Sequence, residues 1–512
     1  MAVVLRKYND SFGFIDTDDY SLVMDAWDNF SFFSEGYRFN PKFKNSNWDG
    51  KIRLINLATR QFPLGLTKKL YDYLSSYTED CTMESNLVSA FCEKDIKEED
   101  IKTYFSKFKF YRKGTGEIFP RDDQLYAVSR AIMMKRCTNI CPTSFGKSLS
   151  IFMEYLWYRQ FGMKTIIVVP SVDLCYQFEN DITEYCTDLN GKLAPWFPKI
   201  QRIHGSQSKK VEKDTGIVIS TWQSLASIKK EIPDIMSKFD VFILDECHKT
   251  SGKVIQDICN SAISTPIRTG WTGSLDPKGV NSLIVEGCFG PIEEITDLKT
   301  LMDDGIIAKF KIAVTFLKYD EEVSKSVIGL DYQSEIKYIE RHKKRTQKIC
   351  QIAASMKKNG CILFTHIKHG KDFYDCLRAT HPERNIYFIC GNNYIRNDKK
   401  YKNIEELKPF IESEEGSIIV AIYSVFGTGV SIKSIEYLIY ACPTKSFVRT
   451  LQSIGRSLRI SESKTKAILI DIVDDFTVPK KKKLNYAMKH FNDRYAIYTD
   501  RQLEYQMVRM KI

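Results

Sequence analysis

Long apolar runs and paired cysteines are both missing from this chain of 512 residues. No stretch of eighteen apolar residues occurs, which argues against a membrane-spanning helix. The apolar run after Met1 is also too short for a signal peptide. The 14 cysteines include no C-x-x-C pair, and several stand inside apolar segments typical of buried strands. We therefore expect reduced thiols in a cytoplasmic protein, in preference to disulfides or a zinc site.

Charge of one sign does not dominate either. The chain has 75 basic and 64 acidic residues, a net charge of +11 and a pI of about 8.8. This mild excess favours a polyanionic partner, but it does not by itself establish nucleic-acid binding. The length exceeds what one hydrophobic core usually serves, so we expect two or three domains.

Short apolar segments alternate with helical stretches from about residue 119 onward. One group covers residues 165–169, 216–220 and 240–244, and a second covers residues 360–364, 385–389, 417–421, 437–440 and 467–470. Strands that are apolar throughout and separated by helices indicate parallel sheets covered on both faces. The pattern predicts two α/β domains, with a boundary near residues 300–320.

The segment Cys141-Pro-Thr-Ser-Phe-Gly-Lys-Ser148 resembles a Walker A phosphate loop in which Cys141 replaces the first glycine. In such a loop, backbone N–H groups and a helix N-terminus bind the phosphates of ATP. Lys147 is predicted to reach the β and γ phosphates, and Ser148 to hold Mg²⁺. The remaining nucleotide-binding residues predicted in this loop are Thr143, Ser144 and Gly146.

Two further segments supply candidate catalytic groups. Val241-Phe-Ile-Leu-Asp-Glu-Cys-His248 places adjacent carboxylates at the end of an apolar strand. Asp245 is predicted to hold Mg²⁺, and Glu246 to orient and deprotonate the attacking water. In Gln452-Ser-Ile-Gly-Arg-Ser-Leu-Arg459, Arg456 and Arg459 fall on one helical face, and Gln452 is a further catalytic candidate. Such arginines stabilise the transition state of phosphoryl transfer.

In this order, the segments resemble the motifs of superfamily 2 helicases between residue 119 and about residue 475. The resemblance implies that Gln124, with Arg121 nearby, reads the adenine edge, and that Gly427 and Gly429 of residues 421–431 contact the nucleotide. It also implies that His248, Thr272 and Ser274 couple hydrolysis to strand movement. Two departures from the usual motifs, Ser144 for glycine and Gly273 for alanine, remove no catalytic group.

The N-terminal segments 36–44, 47–54 and 63–66 are similar to the N-terminal domain of UvsW-type phage recombination helicases. The resemblance implies an α/β fold with two RecA-like parallel-sheet domains in tandem and a small N-terminal α+β DNA-binding domain. It also implies a cytoplasmic location, in a bacterial host if the protein is phage-encoded. We predict an N-terminal domain at 1–95, a linker at 96–118, RecA-like domains at 119–300 and 321–475, a linker at 301–320 and a helical basic tail at 476–512.

Contacts to the phosphates of one DNA strand are predicted on both lobes and on the N-terminal domain. The candidates are Ser171, Thr221, Trp222 and Gln223 in the first lobe, Thr365, His366 and Thr428 in the second, and Arg38, Lys42, Lys44, Lys51 and Arg53 at the N-terminus. Trp222 suits base stacking and core packing equally. For Phe39, Phe43 and Trp48, the interpretation as the core of the small domain is favoured.

The family resemblance implies ATP- and Mg²⁺-dependent remodelling of branched DNA: branch migration, fork regression and unwinding of R-loops or D-loops. Expected partners are forks, Holliday junctions and R-loops, with recombination or single-strand-binding proteins and no membrane. Four alternatives stay open at this point. They are a double-strand translocase without strand separation, an RNA helicase, a non-catalytic DNA-binding scaffold, and the motor subunit of a restriction or nuclease complex.

Overall fold

The computed structural model describes residues 2–34, 36–93, 95–205, 210–228, 231–275, 281–391, 393–423, 434–442, 466–478 and 483–512. The chain divides into two compact units. The first comprises residues 1–141 and 146–295, and the second comprises residues 142–145 and 296–512. Within the described residues, no helix is both long and apolar enough to cross a membrane.

The N-terminal part of the first unit is a small α+β structure around a four-stranded sheet of order β5-β2-β1-β6. The strands and helices are β1 (Val3–Lys7), β2 (Phe12–Asp16), α1 (Tyr20–Asn29), β3 (Ser31–Phe33), α2 (Pro41–Asn45), β4 (Lys51–Arg53), β5 (Gln61–Pro63), α3 (Thr67–Ser75), β6 (Cys81–Met83) and α4 (Ser85–Ser89). Strands β3 and β4 form a separate two-stranded antiparallel sheet. Buried side chains such as Leu5, Val23, Phe62 and Leu70 form the core between the sheet and its helices.

Residues 96–118 are folded, which corrects their prediction as a linker. They contain α5 (Glu98–Phe105) and the hairpin of β7 (Phe110–Arg112) and β8 (Gly116–Ile118). The physical reason is aromatic burial: Phe105 and Phe110 are buried, and the Tyr104 hydroxyl donates to the Leu156 carbonyl over 2.8 Å. This segment therefore packs on the nucleotide-binding half of the first unit.

The rest of the first unit is a seven-stranded parallel sheet of order β11-β12-β10-β13-β14-β9-β15. Its strands are β9 (Arg136–Ile140), β10 (Thr165–Val169), β11 (Ile200–Ile203), β12 (Ile217–Thr221), β13 (Val241–Asp245), β14 (Ile267–Thr272) and β15 (Ile292–Glu294). Its helices are α6 (Asp122–Met134), α7 (Lys147–Arg159), α8 (Val172–Tyr185), α9 (Trp222–Ala226), α10 (Ile232–Met236), α11 (Lys253–Ser261) and α12 (Ser282–Phe289).

The small N-terminal structure is joined to this sheet by buried polar contacts. The Arg268 guanidinium, 1 % exposed, donates to the Ser11 hydroxyl over 3.0 Å, and the Ser11 hydroxyl donates to the Cys259 carbonyl. A Cβ on Gly65 would stand 1.9 Å from the Glu286 carbonyl oxygen, so the two backbones approach closely. The N-terminal structure is therefore part of the first compact unit.

The second unit is built on a nine-stranded sheet of order β20-β19-β18-β21-β17-β22-β23-β16-β24 within the described residues. Its strands are β16 (Lys309–Lys318), β17 (Gly360–Phe364), β18 (Ile386–Cys390), β19 (Asn393–Arg396), β20 (Lys399–Tyr401), β21 (Ile418–Ile422), β22 (Tyr437–Tyr440), β23 (Lys466–Asp475) and β24 (Tyr505–Lys511). Its helices are α13 (Leu298–Asp303), α14 (Glu321–Val327), α15 (Tyr332–Arg341), α16 (Lys343–Ser355), α17 (Ile367–Thr380), α18 (Ile404–Ser413) and α19 (Tyr486–Asp500).

Two segments outside the predicted second RecA-like domain belong to this sheet. Strand β16, inside the predicted linker 301–320, pairs in parallel with β23 on one side and β24 on the other. The predicted helical tail 476–512 contains α19 but ends in strand β24. Apolar side chains of β16, such as Phe310, Ile312 and Val314, are buried in the core of the second unit. The linker prediction is therefore wrong there, and the other domain boundaries stay predictions.

Candidate nucleotide site and its coupling network

The loop between β9 and α7 has the backbone of a phosphate-binding turn. Ser144 and Gly146 take left-handed backbone conformations, with φ of 71° and 93°. The positive φ of Gly146 favours glycine, and a Cβ there would lie 2.4 Å from Nε2 of Gln124, so the end of that side chain would have to shift. Within the described residues, no side chain caps the amino end of α7. The first backbone N–H groups of this helix are therefore oriented to bind an anion.

Lys147 and Gln124 lie at this loop as the sequence predicts. Lys147 is the first residue of α7, and its Nζ donates to the Cys141 carbonyl over 3.4 Å. Gln124 is 4 % exposed, and its Oε1 accepts from the Arg121 backbone N–H over 3.1 Å. The Arg121 guanidinium forms two 3.0 Å hydrogen bonds with Asp123. The roles of Gln124 and Arg121 in reading adenine stay predictions.

The adjacent carboxylates of Asp245 and Glu246 stand at the carboxyl end of β13, and their pKa values are shifted in opposite directions. Burial and the neighbouring charge of Glu246 raise the pKa of Asp245 to about 6, against the opposing charge of Lys147. Burial also acts to raise the pKa of Glu246, but Lys147 and the hydrogen bond with His248 outweigh it. The pKa of Glu246 therefore lies well below its ordinary value. Glu246 is ionised at neutral pH and has the protonation state of a general base.

Residues with the ligand types that Mg²⁺ prefers are present at this site. Asp245 offers a carboxylate at a strand end, and Ser148 offers a hydroxyl in the first turn of α7. Asp245 and Glu246 are adjacent and buried, and their mutual repulsion is one cause of the raised pKa of Asp245. A divalent cation would relieve this repulsion, so the site fits the ion.

The three residues predicted to couple hydrolysis to strand movement lie together around Glu246. His248 Nδ1 stands 2.8 Å from the Thr272 hydroxyl and 3.2 Å from Glu246 Oε2. The Thr272 hydroxyl is itself 3.4 Å from Glu246 Oε2. Ser274, two residues after Thr272, belongs to the same network, because its backbone N–H donates to the Thr272 hydroxyl over 3.3 Å. The Thr272 hydroxyl thus links the base to the end of β14, and the Ser274 hydroxyl lies 3.5 Å from His248 Nδ1.

A buried carboxyl group that the sequence did not single out supports the same strand. Glu154 of α7 is fully buried, and both its oxygens lie within 3.0 Å of the Thr269 hydroxyl, the donor. Its Oε2 also accepts from the Trp271 indole N–H over 3.0 Å. Burial raises the pKa of Glu154 to about 7. The one signal in the sequence is an acidic residue within the apolar segment Ile151-Phe-Met-Glu-Tyr-Leu156.

The residues of the first unit that are predicted to contact DNA differ in their burial and in the hydrogen bonds that their side chains form. Ser171 and Thr221 cap α8 and α9, accepting from the backbone N–H groups of Leu174 and Ser224. Thr221 is also 2 % exposed, its hydroxyl is occupied by the cap, and its contact with DNA stays a prediction. Trp222 is half-buried and packs against the core. Gln223 is exposed at the surface, with its amide donating to the Pro170 carbonyl over 3.1 Å.

In the second unit, Thr365 and His366 follow β17, and His366 is exposed with Nδ1 2.6 Å from Glu340 Oε1. Six candidates lie outside the described residues, and their roles stay predictions. They are Gly427, Thr428, Gly429, Gln452, Arg456 and Arg459.

The five basic candidates of the N-terminal structure fall into two groups. Arg38, Lys42 and Lys44 are exposed. Lys51 pairs with Asp28 over 2.6 Å, and Arg53 pairs with Asp49 and lies 4.0 Å above the Trp27 ring. The first group is therefore better placed to reach phosphates than the second.

The aromatic residues of this region correct a prediction about the core. Phe43 is 36 % exposed, Trp48 is half-buried, and neither belongs to the core of the N-terminal structure. The Tyr37 ring stacks on Phe33 at 4.8 Å and meets the edge of Phe43 at 5.0 Å. These three rings form a separate surface cluster next to the exposed basic residues, while the Phe39 side chain lies outside what the structure describes.

Two parallel-sheet units in tandem, with a phosphate loop between β9 and α7 and an acidic strand end at β13, define a tandem RecA-like α/β protein. Family models match two parts of the chain: "DNA helicase UvsW, N-terminal" matches residues 3–83, and "Type III restriction enzyme, res subunit" matches residues 117–275.

Individual relatives agree with this class. The "ATP-dependent DNA helicase uvsW" of Enterobacteria phage T4 is 33% identical over 494 residues, 94% of each chain. A crystal structure of T4 UvsW covers 100% of both chains, with 29% identity and a TM-score of 0.51. "Putative helicase 22" of a Sulfolobus islandicus filamentous virus is 21% identical over 382 residues, 70% of this chain and 64% of that protein. The chain belongs to the UvsW family of superfamily 2 helicases, which confirms the predicted fold class.

Proposed function

We propose that this protein is an ATP-dependent DNA helicase that remodels branched DNA by branch migration, fork regression and unwinding of R-loops or D-loops. The observation that carries the proposal is the position of Glu246, tied by Thr272 to His248 beside the phosphate loop. The relative from phage T4 is named an ATP-dependent DNA helicase. A scaffold without turnover would have no need of this arrangement.

The residues of the first unit have distinct parts in the proposed reaction. Lys147 and the uncapped N–H groups of α7 bind the phosphates of ATP. Ser148 and Asp245 would hold Mg²⁺, which supplies positive charge to the phosphates when bound. Glu246 accepts the proton of the attacking water, and His248 and Thr272 hold its carboxylate in place. Arg456 and Arg459 stay candidates for charge stabilisation.

Branched DNA is the finer part of the proposal. Its support is the exposed group Arg38, Lys42 and Lys44 beside the ring cluster of Phe33, Tyr37 and Phe43. Basic groups bind phosphates without sequence preference, and exposed rings stack on unpaired bases. A junction offers both features at one place. A double-strand translocase or an RNA helicase would use the same nucleotide site, so the choice among them rests on the substrate.

The decisive experiment measures ATP hydrolysis with no nucleic acid, single strands, duplex, forks, four-way junctions and RNA. We expect the largest stimulation with forks and junctions, and loss of turnover in Glu246→Gln. Glu212→Gln, an exposed glutamate of the same unit, is the matched control and keeps wild-type turnover. Stimulation by RNA alone would favour the RNA helicase, and no turnover on any substrate would favour the scaffold.

A second arm tests the branched-DNA part. Replacing Arg38, Lys42 and Lys44 by alanine should weaken fork binding and leave hydrolysis without DNA unchanged. The slope of log affinity against log salt should fall by about 0.9 for each phosphate contact removed. Lys192→Ala with Lys238→Ala, two exposed lysines elsewhere in the first unit, is the matched control. Equal fork affinity in the triple variant and the wild type would contradict this part of the proposal.

A further inference from the structure

Three side chains with metal-binding atoms meet at the carboxyl ends of two neighbouring strands in the second unit. Strands β17 and β22 are adjacent and parallel, so the residues after them emerge at the same edge of the sheet. His369 stands in the first turn of α17, which follows β17, and Cys442 stands two residues after β22. Glu340, in the last turn of α15, completes the group.

The separations between the three atoms match those around a tetrahedral zinc ion. His369 Nδ1 lies 3.3 Å from Cys442 Sγ and 3.9 Å from Glu340 Oε1. Cys442 Sγ lies 3.9 Å from Glu340 Oε1. In tetrahedral zinc sites, the usual ligand distances place such atoms about 3.3 to 3.6 Å apart. Shifts of a few tenths of an ångström would therefore bring all three atoms to ligand distance from one ion.

Burial and charge at this place also suit a thiophilic cation. His369 and Cys442 are 2 % and 3 % exposed, and a carboxylate with a thiolate offsets the two charges of Zn²⁺. The nearby Arg345 cation is already paired, because its Nε and Nη2 donate to Asp474 over 2.7 and 2.9 Å. Arg345 approaches His369 at Nε2, over 3.5 Å, so Nδ1 is the nitrogen that faces the other two groups.

We propose that Glu340, His369 and Cys442 form a zinc-binding site. Binding breaks the S–H bond of Cys442 and releases its proton to solvent, since zinc binds the thiolate. His366, with a side chain 61% exposed and Nδ1 2.6 Å from Glu340 Oε1, stands at the rim and offers a fourth ligand after side-chain rotation. The sequence analysis expected no zinc site, because Glu340, His369 and Cys442 lie too far apart in the chain to form a recognisable metal-binding motif.

The test uses the full chain without a histidine tag, stripped of metal and titrated with Zn²⁺ against a chromophoric chelator. We expect one tightly bound zinc per chain, and a thiolate-to-metal absorption band when Co²⁺ replaces Zn²⁺. In Cys442→Ser the absorption band should disappear, and the affinity for zinc should fall at least about 100-fold. This is the upper end of the loss that follows when a residue hydrogen-bonded to a metal ligand is replaced. Cys390→Ser, a buried cysteine at the end of β18, is the matched control and should keep both.

Glu340→Gln provides a second variant that leaves the two buried ligands in place. It should keep the cobalt band and bind zinc more weakly than the wild type. Circular dichroism shows whether each variant is folded. If Cys442→Ser is unfolded, the test rests on Glu340→Gln. The proposal is overturned if the wild type takes up no zinc against the chelator. Equal affinity and absorption in the wild type and a folded variant would overturn it as well.

Discussion

Replacing Thr272 by valine removes one hydroxyl group from the centre of the nucleotide site and leaves the shape of the side chain nearly unchanged. That hydroxyl lies 2.8 Å from His248 Nδ1 and 3.4 Å from Glu246 Oε2, and it accepts from the Ser274 backbone N–H. In the variant, Glu246 keeps its 3.2 Å contact with His248, but the direct hydrogen bonds of this pair to β14 are lost, and only the 3.5 Å contact of His248 Nδ1 with the Ser274 hydroxyl is left next to that strand.

The size of the effect follows from the hydrogen bonds that valine cannot make. A hydrogen bond contributes about 0.5 to 1.5 kcal/mol, and one to a charged group about 1.5 to 3 kcal/mol. The 3.4 Å separation from Glu246 is long. We therefore expect transition-state stabilisation to weaken by about 1.4 kcal/mol, which lowers kcat about tenfold. The KM for ATP should change little, because the phosphate loop and Lys147 are untouched.

Thr269→Val is a matched control on the same strand. Thr269 lies on the opposite face of β14, where its hydroxyl donates to Glu154. Both variants should lose stability of about 1 kcal/mol in urea denaturation, but only Thr272→Val should lower the DNA-stimulated kcat. Wild-type turnover in Thr272→Val, or an equal loss of kcat in Thr269→Val, would refute the role assigned to the Thr272 hydroxyl.

Two further predictions concern pH and a turn. The pKa of Glu154 rises from 4.5 to about 7 on folding. The folded state then holds a proton that the unfolded state releases, so stability should fall as pH rises through this window, on the order of 3 kcal/mol. Urea denaturation at several pH values should show that the free energy of unfolding depends less steeply on pH in Glu154→Gln than in the wild type. Gly50 has φ of +86°, and a Cβ there would stand 2.3 Å from the Tyr37 ring. Gly50→Ala should cost about 2 to 4 kcal/mol in thermal or chemical unfolding.

Each of these has a result that would contradict it. An identical pH slope in the wild type and Glu154→Gln would show that other groups, such as Asp245, cause the whole dependence. For the turn, Gly36→Ala is the control, because Gly36 also has a positive φ of 67° but nothing lies within 4 Å of its Cβ position. It should cost only the backbone strain of about 1 to 2 kcal/mol. Equal losses in the two glycine variants would rule out the steric argument.

The sequence predicts the central strands well because they are buried on both faces. Residues 240–244, for example, are predicted as a strand and form β13 at Val241–Asp245. Such continuous apolar runs carry their signal locally. Strand β24 escapes prediction because its side chains are mostly polar or exposed, and it is stabilised by pairing with a distant strand.

The candidate site shows the same division. The phosphate loop and the Asp245–Glu246 pair are recognisable because their residues are contiguous. Glu154 is not, because its partners Thr269 and Trp271 lie more than a hundred residues along the chain. Thr221 shows a second limit: its strand-end position predicts a DNA contact, and the structure adds that its hydroxyl caps a helix. Capping and DNA contact use the same residue types, so the sequence alone does not separate them.

The position of β16 between β23 and β24 sets an order for folding during synthesis. The strands described in the first unit are all present once residue 294 has been made. Strand β16 must wait for β23 and β24, which follow it by roughly 160 and 190 residues, and such separations slow pairing. Until then both of its edges stay open to pairing with another chain. A ribosome pausing between β16 and β23 would therefore leave a folded first unit attached to an aggregation-prone strand.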